Sequence, residues 1–108
     1  MPNVTVYVTD EHTPSDSVLD DLTNAITDLC TGLLRALLEN VHVVFVRVRP
    51  GRGHPVFVEV LYRLETYRPE TVMVDFMNRL DDAIVRTCEL TARIRCFGYP
   101  AGALYARN

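Results

Sequence analysis

Pro2-Asn3-Val4-Thr5-Val6-Tyr7-Val8-Thr9, directly after Met1, places a valine at every second position. A period of two belongs to a strand with one face toward a core. A proline in front is compatible, because proline at the start of a strand removes no ladder hydrogen bond. Asp10 to His12 form a polar turn, and Thr13-Pro14-Ser15-Asp16 reads as a helix start. Thr13 is the expected cap, Pro14 suits the first turn and Asp16 complements the positive helix end. Val18, Leu22, Ile26, Leu29 and Leu33 follow at helical spacing, with Asp20, Asp21, Asn24 and Asp28 on the wet side. Gly32 offers a left-handed stop, although Leu33 to Asn40 can also continue the helix.

Further out, Val41-His42-Val43-Val44-Phe45-Val46-Arg47-Val48 is apolar on both faces until its end, the pattern of a central strand. A strand reached through a helix pairs in parallel with the one before it. Pro50-Gly51-Arg52-Gly53 is a turn, and Pro55 to Arg63 forms a third strand. Arg68-Pro69-Glu70 starts a second helix, whose buried face carries Val72, Phe76, Leu80, Ile84 and Cys88; Arg93 to Phe97 is a fourth strand. The halves echo each other: Val18, Asp21, Asn24 and Asp28 recur as Val72, Asp75, Asn78 and Asp82, and Pro2 and Pro55 each precede a strand. The expected fold is α/β (α+β), a duplicated β-α-β unit with pseudo-repeats at about 2–49 and 55–105 in one domain, 1–108. Right-handed crossovers put both helices on one face of a four-stranded, mainly parallel sheet. The other face is left apolar and bare, and oligomerisation is its natural cover.

Composition narrows the function classes. The chain has 108 residues, 48% of them hydrophobic, and a net charge of -3. That suits one globular domain and supplies no long-range field to recruit nucleic acid or an anionic membrane. Apolar runs fall far short of a bilayer span, so the expectation is a soluble, cytoplasmic protein without a membrane or nucleic-acid partner. Cys30, Cys88 and Cys96 form no CxxC pair and sit among apolar neighbours, as core thiols do. His12, His42 and His54 lack metal-ligand spacing, and no metal is expected. Arg47, Arg49, Arg52 and His54 crowd one turn without interleaved aromatics, which reads as a solvated hairpin tip or a loop reaching a neighbouring subunit.

The initial Met1-Pro2 with its strand, Thr31-Gly32 at a helix end, Val41-His42-Val43-Val44 and the doubled β-α-β order together resemble the tautomerase superfamily. This is the group of 4-oxalocrotonate tautomerase and macrophage migration inhibitory factor, and the resemblance covers essentially the whole chain. It implies a homotrimer whose three sheets enclose a barrel. It also implies cofactor-free chemistry on small 2-oxo acids and their enols, with the N-terminal proline as base or nucleophile. Pro2 matches that proline. Where the inhibitory-factor branch has a lysine after Thr-Gly, this chain has Leu33 and Leu34, and the nearest cation is Arg35. Arg95 falls where that branch has an active-site tyrosine, with Phe97 beside it. Tyr62-Arg63 ends the third strand, resembling the malonate semialdehyde decarboxylase and haloacrylate dehalogenase branch, with Glu65 in place of its second arginine.

Loss of Met1 makes Pro2 a secondary amine, with a pKa that starts near ~8 and is lowered by burial or neighbouring cations. A neutral amine can move a proton between enol oxygen and carbon, while cations hold a carboxylate and the developing oxyanion. The candidates are Pro2 as catalytic base, with Arg63, Arg95, Arg35, Tyr62 and Phe97 around the substrate. Pro55 matches Pro2 in the repeat, but its nitrogen lies in an amide and cannot act as a base. The expected activity is keto-enol tautomerisation. A hydratase-type decarboxylase or dehalogenase, and a non-catalytic trimeric scaffold, are the alternatives.

Overall fold

The computed structural model describes residues 2–108. The strands and helices are β1 (Asn3–Thr9), α1 (Asp16–Gly32), β2 (His42–Val48), β3 (Val56–Arg63), α2 (Glu70–Cys88) and β4 (Ala92–Tyr99). The sheet order is β2-β1-β3-β4. β1 runs parallel to β2 and β3 parallel to β4, whereas β1 and β3 are antiparallel. Each parallel pair is bridged by a helix, so two β-α-β units meet through their first strands at the centre of the sheet.

The alternation in the sequence becomes a division between faces. Val4, Val6 and Val8 of β1 and Val56, Val58 and Val60 of β3 are buried in one cluster with Leu22 and Ile26 of α1 and Phe76, Leu80 and Ile84 of α2. Both helices therefore cover the same face. The other face carries apolar side chains in the open, including Val44 and Phe97, each 51% exposed. Register arranges it in rows across all four strands, such as Val44-Thr5-Glu59-Arg95 and Val46-Tyr7-Phe57-Arg93. In the second row the Tyr7 and Phe57 rings stack, with centroids 5.8 Å apart and an interplanar angle of 16°.

Three local expectations are corrected. β2 is an edge strand, not a central one. Val43 and Phe45 pack on the core while Val44 stays exposed, so apolar character on both faces reported two surfaces and not two strand neighbours. The α1 cap is Ser15, whose hydroxyl accepts from Val18 N at 3.3 Å. Thr13 is spent on the preceding turn, its hydroxyl contacting the Thr9 and Asp10 carbonyls. α1 does end at Gly32, but not through a left-handed glycine: the left-handed residue is Arg35 (φ 53), with Ala36 N closing onto Cys30 O at 3.0 Å. α2 likewise ends on left-handed Glu89 (φ 57). Thr23, Thr27 and Thr31 donate to the Leu19, Thr23 and Thr27 carbonyls, so their hydroxyls are satisfied within α1.

All three cysteines are free thiols. Burial pushes Cys30 from 9.0 up to about 12, against a downward pull from Arg68, and pushes Cys96 from 9.0 up to about 11. Both thiols stay neutral in the folded protein at pH values where an unfolded chain ionises them. Their contribution is intact below about pH 9 and disappears as pH rises toward 11 and 12. Urea midpoints measured from pH 8 to 11 are therefore expected to fall, and to fall less steeply in a Cys30→Ala/Cys96→Ala variant. Parallel decline of the two proteins would contradict this account.

Candidate functional site

Pro2 leads into β1 at the middle of the sheet, and its side chain is fully buried. Its carbonyl accepts from His42 N at 3.2 Å, tying it to the start of β2. The antiparallel register pairs Asn3 with Leu61, so one further step brings Pro2 opposite Tyr62. Tyr62 is buried on the helix-facing side, the side of Val4 and Val6. This sheet end therefore collects the start of β1, the start of β2, the end of β3 and the end of β4.

The connection from β3 to α2 returns across that end and carries the one buried cation among the described residues. Arg68 is 5% exposed; its Nε donates to Leu34 O and its Nη1 to Arg63 O, both at 2.8 Å. No carboxylate within ion-pair distance of Arg68 occurs among the described residues. The guanidinium instead lies 5.2 Å from the centre of the Tyr67 ring, and Arg35 lies 5.6 Å from the same ring. Its charge is felt nearby: it opposes the upward shift that burial, and then Cys96, impose on Tyr62. Two carbonyls accept from Nε and Nη1 and an aromatic ring lies over the guanidinium, but among the described residues the positive charge has no counter-ion. Burying a cation this way is costly unless it is repaid by structure or by an anionic ligand.

The sequence-predicted residues divide into two groups. Pro2, Tyr62, Arg63 and Arg35 gather at this end with Arg68. Arg63 is half-exposed, with its Nε 2.8 Å from Glu65 Oε1. Arg95 and Phe97 lie on the bare face of β4, two strands and about 10 Å from β1, although register sets Phe97 level with Asn3 at this end. Arg95 sits opposite Glu59 in register, and its Nη1 donates to Ile94 O at 2.8 Å. Within one chain they do not meet Pro2. Arg68 was missed because an arginine directly before a proline at a helix start reads as a wet residue. The available signal was its place as the sole cation of the short 64–69 link that must cross the end of the sheet.

Neither principal cavity includes Pro2. One, of about 560 Å³, lies between α1 and α2 against Asp28, Gly32, Asp82 and Arg86. The other, of about 340 Å³, lies at the far end of the sheet beside the β2–β3 turn. Among the described residues no group of three or more His, Cys, Asp or Glu side chains is placed to hold a metal ion. No helix among them is long and apolar enough to cross a membrane.

Solved structures with the same architecture are numerous. A native fused 4-OT superposes with a TM-score of 0.81 at 11% identity, over 96% of this chain and 91% of its own. The chain has the fold of the tautomerase superfamily. Malonate semialdehyde decarboxylase, described with decarboxylase and hydratase activities, gives 0.74 at 14% identity over 98% and 91% of the two chains. Macrophage migration inhibitory factor of Toxoplasma gondii gives 0.76 at 9% identity over 96% and 95%. Wild-type fused 4-OTs of the same group are symmetric trimers. No protein-family model and no curated protein matches the sequence. Tautomerases and a decarboxylase share this fold, and identities this low fix the fold and not the reaction.

Replacing Arg68 by methionine removes the donor to the Leu34 carbonyl in a buried bond and to the Arg63 carbonyl in a part-buried one, and the expected loss is about 2–4 kcal/mol in urea unfolding. Lysine at the same position recovers only part of it, because an ammonium cannot span two acceptors with a planar fork. A Gly98→Ala variant tests the packing beside it. Its new Cβ would lie 3.0 Å from the Tyr62 ring and 2.5 Å from Cδ2 of the half-exposed Leu64, which can swing aside, for an expected loss of about 1 kcal/mol. Stability within 0.5 kcal/mol of wild type, taken as about the error of such comparisons, would contradict either assignment.

Proposed function

We propose that this protein is a cofactor-free keto-enol tautomerase of small 2-oxo acids and their enols. Pro2, freed by loss of Met1, is the general base. Met1 lies outside the described residues, and so does the processing step. The observation that carries the reading is the convergence of Pro2 with the buried, carboxylate-free Arg68 and with Arg63 at one end of the sheet. In a chain with this fold, that arrangement supplies what the reaction needs. A desolvated amine at the sheet end that a buried guanidinium crosses would be disfavoured as a cation, so in this reading the proline nitrogen acts as the neutral base. It can then take the enol proton and return it at carbon, while an arginine fork holds the substrate carboxylate.

Arg63 would exchange its ion pair with Glu65 for the substrate carboxylate. Arg35 stands beside Tyr67 at the mouth of the same region. Arg95 and Phe97 join only as a neighbouring copy's contribution, as in a homotrimer. The wild-type fused 4-OTs with this fold assemble as trimers. A hydration reaction, as in malonate semialdehyde decarboxylase, would need Pro2 protonated. A proline pKa near ~9 would support that reading, and a value near neutrality supports isomerisation.

The test begins with intact mass, which should correspond to a chain starting at Pro2, and continues with ketonisation of phenylenolpyruvate. Activity should rise with pH through the proline pKa and fall at least about 100-fold in Pro2→Ala. Full activity in that variant, or retention of Met1 in an active protein, would sink the proposal. Sedimentation should give a trimer.

A further inference from the structure

The turn between β2 and β3 looked like a wet hairpin tip because its cations have no aromatic neighbours in sequence. The fold supplies them from elsewhere. The cavity of about 340 Å³ at this turn is lined by Arg49, Arg52, His54 and Pro55 of the turn, by Arg93 of β4, and by Tyr7 and Phe57. Those two rings form the stacked pair of the bare face, and Arg93 is the register partner of Phe57. A chain with a net charge of -3 thus places three guanidiniums and an imidazole around one aromatic surface, with no carboxylate in the lining. The turn is anchored, since Pro55 O accepts from Thr9 N at 3.0 Å. Gly53 holds a positive φ of 121, which lets the chain fold back over the strand ends.

We infer that this cavity is a binding site for a small aromatic carboxylate, separate from the Pro2 end of the sheet. The ring would lie on Tyr7 and Phe57, in the offset or edge-on contacts that aromatic groups favour. The carboxylate would be taken by Arg93 with Arg49 or Arg52, a planar anion matched to a planar fork. The volume lies at the lower end of small-ligand pockets, about 300–1,000 Å³, which suits a single-ring compound. Tyr7 lies five residues along β1 from Pro2, about 17 Å at strand spacing, so the two sites are distinct within a chain. Nothing in the lining can act as a free-amine base: Pro55 stands at the strand start here, with its nitrogen in an amide. The site binds without turning its ligand over, and the inference holds whether or not Pro2 is catalytic.

The experiment is an NMR titration of the full, labelled protein with benzoate, following the Tyr7 and Phe57 ring signals. Cyclohexanecarboxylate and inorganic phosphate serve as controls. Saturable shifts are expected with benzoate, unchanged in Pro2→Ala and weakened at least tenfold by Arg93→Gln, an exposed substitution whose fold is checked by circular dichroism. Cyclohexanecarboxylate should bind several-fold more weakly, and added salt should weaken both. The absence of saturation with a Kd at or below about 1 mM would overturn the site. Benzoate binding that vanishes in Pro2→Ala and survives Arg93→Gln would assign the ligand to the Pro2 end and overturn it equally. Phosphate binding as tightly as benzoate would overturn the aromatic-carboxylate assignment.

Discussion

The antiparallel pairing of β1 with β3 is the interaction on which the molecule depends. Each β-α-β unit alone is a two-stranded parallel ribbon with one helix, too small to bury its apolar face. Joined along β1 and β3, the two units align Val4, Val6 and Val8 beside Val60, Val58 and Val56, a continuous floor of valines on which both helices rest. β-branched side chains suit this role, since they are stiff and fill a pleated surface. The same pairing sets the polarity of the sheet. It brings the start of β1 to the end of β3, so Pro2 meets Tyr62, and it sends Pro55 to the far end beside Thr9.

From that polarity follow two chemically different ends. At one, a buried guanidinium without a carboxylate partner among the described residues sits by Tyr62, Leu34 and Tyr67. At the other, exposed guanidiniums surround an aromatic pair. All eleven basic side chains of the Lys+Arg type are arginine. Arginine keeps its charge when desolvated and lies readily on aromatic rings, which is how Arg35 and Arg68 share Tyr67.

Strand and helix positions were legible wherever a period was clean. The valines of β1 and the Val72, Phe76, Leu80 and Ile84 face of α2 are examples, and the doubled order led to the fold class. What stayed hidden depends on contacts between distant segments. The edge position of β2 follows from β1 choosing β3 as its second neighbour, and no pattern within Val41 to Val48 encodes that choice. Ser15 and Thr13 are both capable caps, and only the path of the turn decides between them. Arg35 takes a left-handed conformation that glycine usually occupies, so no local preference announced it. Within the candidate site, Pro2 and Arg63 could be placed from strand ends, but the face on which Arg95 and Phe97 lie needed the register. Arg68 needed the burial.

The central place of β1 also has a consequence in time. A strand that is early in the chain but interior to the sheet finds neither neighbour until much later residues exist: His42 to Val48 on one side, Val56 to Leu61 on the other. During synthesis β1 must therefore wait, unpaired and valine-rich, while α1 and the following segments emerge. Such non-local closure slows folding. Asn3, Thr5 and Thr9 stand as polar positions among the valines of β1.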